Sequence, residues 1–310
     1  MMYATSLNPH VAESFSTLGL SPTSSLSEIK SAFRRRAKLV HPDISRVEGS
    51  KQHFQQLNHA YSTVMEWLEQ EAASWELSAT FLTVAKAHRG SFQSIGEAVR
   101  AAAANATILI KPGVYREGII LDKALHLIGD GPPGTIQISS AFHPPVSILA
   151  PEVCLEGLSI HGKSNRKRGA QFALVVDNGS ATLRKCHIHA EKLSGIVLHG
   201  PHSRLHLHES EISHCGQAGI YSYDQANLLV EDCTIRDNGA PGLQLEEFSS
   251  ATVRRTLIAS RQAEAICLKD SSNCLLENSD LVAPAERFYT LSGNSLLSRK
   301  GMNTLVPLEK

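Results

Sequence analysis

The second half of this 310-residue chain repeats itself every 23 or 24 residues, and that period limits its fold more than any other feature. One half of the repeat reads aliphatic-x-x-(Cys/Ser/Thr)-x-(Ile/Leu). It appears as Leu183-x-x-Cys186-x-Ile188, Leu207-x-x-Ser210-x-Ile212, Val230-x-x-Cys233-x-Ile235, Val253-x-x-Thr256-x-Ile258 and Leu276-x-x-Ser279-x-Leu281. The other half is Gly195-Ile196-x-Leu198, Gly219-Ile220-x-Ser222, Gly242-Leu243-x-Leu245 and Ala265-Ile266-x-Leu268. So short a period, carried by strands of a few residues, cannot build a helical solenoid. A leucine-rich repeat would need an Asn ladder and a different Leu spacing. What remains is a right-handed parallel β-helix, in which each coil buries its aliphatic row against the next. Coils stack at the inter-strand spacing of about 4.8 Å, so equivalent positions form columns. Cys186, Ser210, Cys233, Thr256 and Ser279 are expected to form one internal column of small side chains.

Upstream, residues 155–160 start an earlier coil and residues 163–169 form a basic insertion. The spacing predicts a helix over 95–104, covering the N-terminal end of the coils and protecting a strand edge. Short strands are expected at 108–110, 118–121 and 125–128, between Gly and Pro turns. The stretch FQSIGEAV…ATILIKPGVYREGIIL at 92–121 is similar to the opening of pectin esterases. Residues 80–282 as a whole resemble the pectin-lyase-like β-helix family. Such a resemblance implies the fold and does not carry function.

The N-terminal region has a different pattern. Ser25 and Glu28 have the spacing of a capping box. Ile29, Ala32, Phe33, Ala37 and Val40 then share one helical face, with Lys30, Arg34, Arg35 and Lys38 largely off it. Phe54, Leu57, Tyr61, Val64 and Leu68 repeat at three- and four-residue steps in a second helix. Between the two stands His41-Pro42-Asp43, and Pro42 must end the first helix because it has no N–H. Together with Phe15-x-x-Leu18-Gly19-Leu20, Ile29-x-x-Ala32-Phe33-Arg34 and Phe54-x-x-Leu57-Asn58-x-Ala60-Tyr61, the tripeptide resembles the J-domain of DnaJ-type co-chaperones. Arg36 stands where that family usually has a core Leu, and Val40 where it often has Tyr. The resemblance implies that His41, Pro42 and Asp43, with Arg34, Arg35 and Lys38, dock on a DnaK-type chaperone and stimulate its ATP hydrolysis.

The expected organisation is multidomain: a small all-α J-domain at 12–70, a linker at 71–89, an all-β right-handed parallel β-helix at 90–285, and a cap or tail at 286–310. Lys plus Arg and Asp plus Glu are balanced at 30 each, which gives no basic bias toward nucleic acid. No stretch has the length and apolarity of a membrane span, and the N-terminus lacks a secretory pattern. The six cysteines include no C-x-x-C pair and read as reduced core residues, so a cytoplasmic location is expected.

Asp232, Asp237, Glu246, Glu247, Asp224 and Asp270 are the candidate catalytic acids, but none reproduces a pectin esterase, polygalacturonase or pectate lyase motif. The chain is therefore expected not to be an enzyme, and to need no cofactor. His187 with His189, and His206 with His208, each have the alternate spacing that could chelate zinc or copper. By register His187 stacks on Glu211 and Thr234, while His208 lies between Arg184 and Glu231. The pairs thus occupy different columns, and no metal site is expected. A candidate ligand face gathers His199, Tyr221, Tyr223, Gln244 and Glu246, near Val197 and Lys269. These readings make the chain a co-chaperone whose β-helix holds or localises a protein client. The alternative is a carbohydrate-binding or carbohydrate-active β-helix with an accessory J-domain.

Overall fold

The computed structural model describes residues 8–21, 26–40, 50–86, 91–165, 169–284 and 287–308, with backbone only at 26–27, 39, 50–51 and 69–79. The chain divides into two compact units, Met1–Ser78 and Ala79–Lys310.

Three helices make the described part of the first unit: α1 (Pro9–Leu18), α2 (Leu26–Val40) and α3 (Ser50–Thr80), the last running two residues past its boundary. The Asn8 side chain accepts from the His10 N–H and Pro9 begins α1, an N-terminus whose orphan donors are met locally. Gly19 ends it in the left-handed region at φ 71°, and its N–H and that of Leu20 donate back to Ser16 and Phe15 carbonyls. Val11, Phe15, Leu18, Ile29, Leu57 and Val64 form the core, with Phe33, Ala37, Val40, Tyr61, Trp67 and Leu68 packed round it. Phe33 stacks on Tyr61 at 4.3 Å between ring centres, and Trp67 meets Phe15 edge-on at 5.7 Å. The capping residue Ser25 and the tripeptide His41-Pro42-Asp43 lie outside the described residues.

The second unit is a parallel β-solenoid of about 10 turns, wound as three parallel sheets of ten, eight and nine strands. A representative coil runs Ser180–Arg184 in the ten-stranded sheet, His187–Ala190 in the nine-stranded sheet and Ile196–His199 in the eight-stranded sheet. The repeat columns fall in register: Leu183, Leu207, Val230, Val253 and Leu276 pair directly and are all fully buried. Helix α4 (Ile95–Ala101) buries Ile95, Ala98 and Val99 within the solenoid core. Its first N–H groups donate to the Glu117 carboxylate, Ile95 at 2.9 Å and Gly96 at 2.8 Å, so the following coil caps it.

The expected column of small side chains is a hydrogen-bond ladder through the core. The Cys186 N–H donates to Ser210 Oγ at 3.1 Å, Ser210 N–H to Cys233 Sγ at 3.5 Å, and Cys233 N–H to Thr256 Oγ1 at 3.2 Å. Thr256 N–H then donates to Ser279 Oγ at 3.1 Å, and Ser279 N–H to Asn303 Oδ1 at 3.0 Å. A small side chain with a hydrogen-bonding atom is required there because the corner breaks the strand ladder and leaves a buried N–H to satisfy.

Element limits differ from the sequence reading at both ends of the solenoid. Helix α3 runs to Thr80, and Phe81–Val84 is a strand paired in parallel with Ala106–Ile110, within the segment read as linker. Helix formers such as Glu, Leu and Ala continue past Ser74 and carry the helix on. The segment read as a cap or tail holds another coil, Tyr289–Leu291, Leu296–Lys300 and Thr304–Leu308. Its signature is disguised because Arg299 occupies the register position of Leu276.

Candidate functional site

On α2 the helical period places Ile29 and Ala32 inside and leaves Lys30, Arg34, Arg35 and Lys38 exposed along the outer face. The three basic residues expected to dock a chaperone are therefore on one accessible surface. A groove of about 490 Å³ begins at Arg35 and Arg36 and is closed by Thr17, Val40, His53 and Gln56. Arg36 Nη1 donates to the Thr17 carbonyl at 2.6 Å, so it ties α2 to the C-terminal end of α1, where a cation is favoured.

On the solenoid the candidate ligand face is gathered as the repeat requires. His199 pairs in register with Tyr223 and Tyr221 with Gln244 on the eight-stranded sheet. The His199 and Tyr223 rings lie parallel at 5.3 Å, and Tyr221 sits 5.1 Å from Tyr223. Glu246 accepts from the Tyr221 hydroxyl, the Gln244 amide and Lys269 Nζ, each at 2.8 Å. Burial alone would raise the Glu246 carboxyl, but the donors from Lys269, Tyr221 and Gln244 outweigh it and hold it below the usual carboxylate range. Burial, and then the bond to Glu246, push the Tyr221 phenol up. One face of the His199 ring is covered by Tyr223, and the Tyr221 hydroxyl is held by Glu246.

Three of the six candidate acids, Asp232, Asp237 and Glu246, are in ion pairs. Asp232 takes both nitrogens of the Arg255 fork at 2.8 Å, which holds its carboxyl below the usual range. Asp237 accepts from Arg261 and Arg236, also at 2.8 Å. Of the histidine pairs, His206 Nε2 lies 2.9 Å from Glu231 and His208 Nε2 lies 3.6 Å from Asp232. His187 and His208 fall in the separate columns read from register. Among the described residues no three His, Cys, Asp or Glu side chains are grouped to hold a metal ion.

The structure adds His161, which the repeat did not reveal. It pairs in register with His189, 28 residues later, because the inserted segment 163–169 lengthens that coil past the usual period. Burial, with His189 and Lys163 nearby, lowers its imidazole to about 4.

Residues 13–71 match the DnaJ domain family, and residues 154–300 match the right-handed beta helix region family. Chaperone protein dnaJ A7B, chloroplastic, of Oryza sativa subsp. japonica is 42% identical over 55 residues, covering 18% of this chain and 12% of that protein. Chaperone protein DnaJ of Bacillus cytotoxicus is 34% identical over 82 residues, covering 26% of this chain and 20% of that protein. The chain thus spans a fifth or less of the length of these curated relatives. Among solved structures, pectin methylesterase from carrot superposes with a TM-score of 0.56 at 16% identity, covering 72% of this chain and 82% of that one. The Aspergillus niger pectin methylesterase gives 0.56 at 15% identity, covering 74% and 86%.

At such identities the likeness establishes the fold alone, yet it corrects one expectation. The chain was expected not to be an enzyme, and its solenoid has the fold of proteins that are enzymes. Absent family motifs were too weak a ground for that exclusion, since function lies in sites grafted on a fold. Family and fold together identify the chain as a DnaJ domain at residues 13–71 joined to a right-handed parallel β-helix.

Proposed function

We propose that the chain is a co-chaperone that stimulates ATP hydrolysis by a DnaK-type chaperone, with the β-helix as a client-binding or localising scaffold. The observation that carries this reading is the His41-Pro42-Asp43 tripeptide standing between α2 and α3 within the DnaJ-domain match. The basic surface of Arg34, Arg35 and Lys38 supports it, since exposed charges steer encounter and set register. A cytosolic setting belongs to the proposal and rests on cysteine usage. The test is binding of the full chain to a cognate DnaK-type chaperone across a salt series. Arg35→Glu should weaken docking at least several-fold and flatten its salt dependence. Wild-type affinity and salt dependence in the variant would reduce the basic run to a solvated helix face.

A second reading is favoured by the aromatic and carboxylate row on the eight-stranded sheet. His199, Tyr221, Tyr223, Gln244 and Glu246 offer ring edges and polar groups in a line, an arrangement that suits a carbohydrate chain or an extended peptide. Retardation of the full chain in gels containing polygalacturonate, relieved by Tyr223→Ala, would support the carbohydrate form. Mobility unchanged by the polymer would count against it.

A further inference from the structure

A cleft of about 540 Å³ on the nine-stranded sheet is lined by Gln137, Ser159, His161, His187, His189 and His214, among others. Parallel pairing of Ser159–Gly162 with His187–Ala190 sets His161 beside His189, ring centres 5.5 Å apart and planes at 75°. His214 follows at 6.4 Å from His189.

The His189 ring nitrogens are sorted by a carbonyl neighbour, and those of His161 by which end of an amide faces it. His189 Nδ1 lies 3.3 Å from the Ser213 carbonyl, so Nδ1 carries the proton and donates, leaving the lone pair on Nε2. His161 Nδ1 faces the Gln137 amide nitrogen, which as placed donates to it; the amide nitrogen and oxygen interchange by a half-turn of the side chain. With that amide turned so that its oxygen accepts from Nδ1–H, His161 Nε2 is left in the same state. A partner on one ring nitrogen that fixes the other as donor is the usual support of a metal-bound imidazole. Two imidazoles on one tetrahedral ion, with N–metal distances of about 2.0 Å, stand with ring centres about 5 Å apart.

We propose that His161 and His189 bind a divalent cation of the zinc class in this cleft, with water completing its coordination. Two protein ligands are all the present geometry supports, since no group of three is arranged for a metal among the described residues. Lys163 opposes a bound cation here, while Glu191 acts in its favour. A zinc ion gains two coordinate bonds, which offset the desolvation of the site. This inference does not rest on the co-chaperone reading.

The test titrates Zn²⁺ alone into the metal-free full chain at pH 7 by calorimetry, and follows thermal melting with and without zinc. One micromolar equivalent is expected, weakened at least tenfold in His161→Gln and in His189→Asn and kept in His206→Gln. Zinc should raise the melting temperature of the wild type and not of the first two variants. Merely structural imidazoles would lower the zinc-free melting temperature and leave the zinc response intact, overturning the proposal. Absence of micromolar binding, or equal loss in His206→Gln, would overturn it as well.

Discussion

Arg36 shows how a single side chain can change its job without changing the fold around it. Where a core Leu is usual, Arg36 lies on the surface and donates to Thr17 at the end of α1. Its guanidinium covers Gly19, whose φ of 71° already disfavours a side chain. Gly19→Ala should therefore destabilise the helical unit by about 1–2 kcal/mol, from the left-handed backbone and the crowding of Arg36. Both tryptophans, Trp67 and Trp75, lie in that unit, so denaturant unfolding followed by their fluorescence reads it directly. In the solenoid, Thr256→Val keeps the volume but removes the acceptor for the buried Cys233 N–H. A loss of about 1–3 kcal/mol is expected in unfolding followed by circular dichroism. Stability within a few tenths of wild type would mean that water reaches that N–H. Small polar columns are legible in sequence because the repeat shows them, whereas the Arg36 contact depends on tertiary geometry that no spacing encodes.

Among the elements, the corner after five successive strands of the ten-stranded sheet is the costly part of a coil. Lys185, Glu209, Asp232, Arg255 and Asn278 all take φ between 46° and 55° there, though none is glycine. Asp232 and Arg255 offset the strain by pairing with each other across coils. Lys185 has only an exposed contact of 3.7 Å with Glu209, which contributes little. Lys185→Gly is thus expected to stabilise the solenoid by about 0.5–1 kcal/mol, seen as a higher melting temperature. A lower one would show that the ion pair outweighs the strain. Strands whose aliphatic row is regular were legible in sequence. The last coil was not, because Arg299 interrupts the row, and Phe81–Val84 was not, because four residues carry no period. His161 was hidden in the same way, by an insertion that shifts its offset.

At the scale of the whole molecule, burial of cysteine ties solenoid stability to pH. Burial pushes the Cys186 and Cys274 thiols up to about 12, from an ordinary value of 9.0. Above pH 9 the unfolded thiols ionise while the native ones keep their protons. The native state then binds more protons, and stability falls as pH rises toward 12; below pH 9 these thiols add no slope. Cys274→Ala should accordingly lose less stability than wild type between pH 8 and pH 10, and equal losses would contradict the assignment. The two compact units also predict separable failure. Ile235 is fully buried in the middle coils, and Ile235→Asp places a charge there without a partner, which should unfold the solenoid. The helical unit keeps its own core of Phe15, Leu18, Ile29, Leu57 and Val64. The most direct measurement is single-turnover ATP hydrolysis by a cognate DnaK-type chaperone with wild-type chain, Ile235→Asp and His41→Gln side by side. Wild type and Ile235→Asp should both accelerate hydrolysis, and His41→Gln should leave it at the basal rate. No acceleration by a wild-type chain whose helical unit is folded, or full acceleration by His41→Gln, would contradict the co-chaperone account.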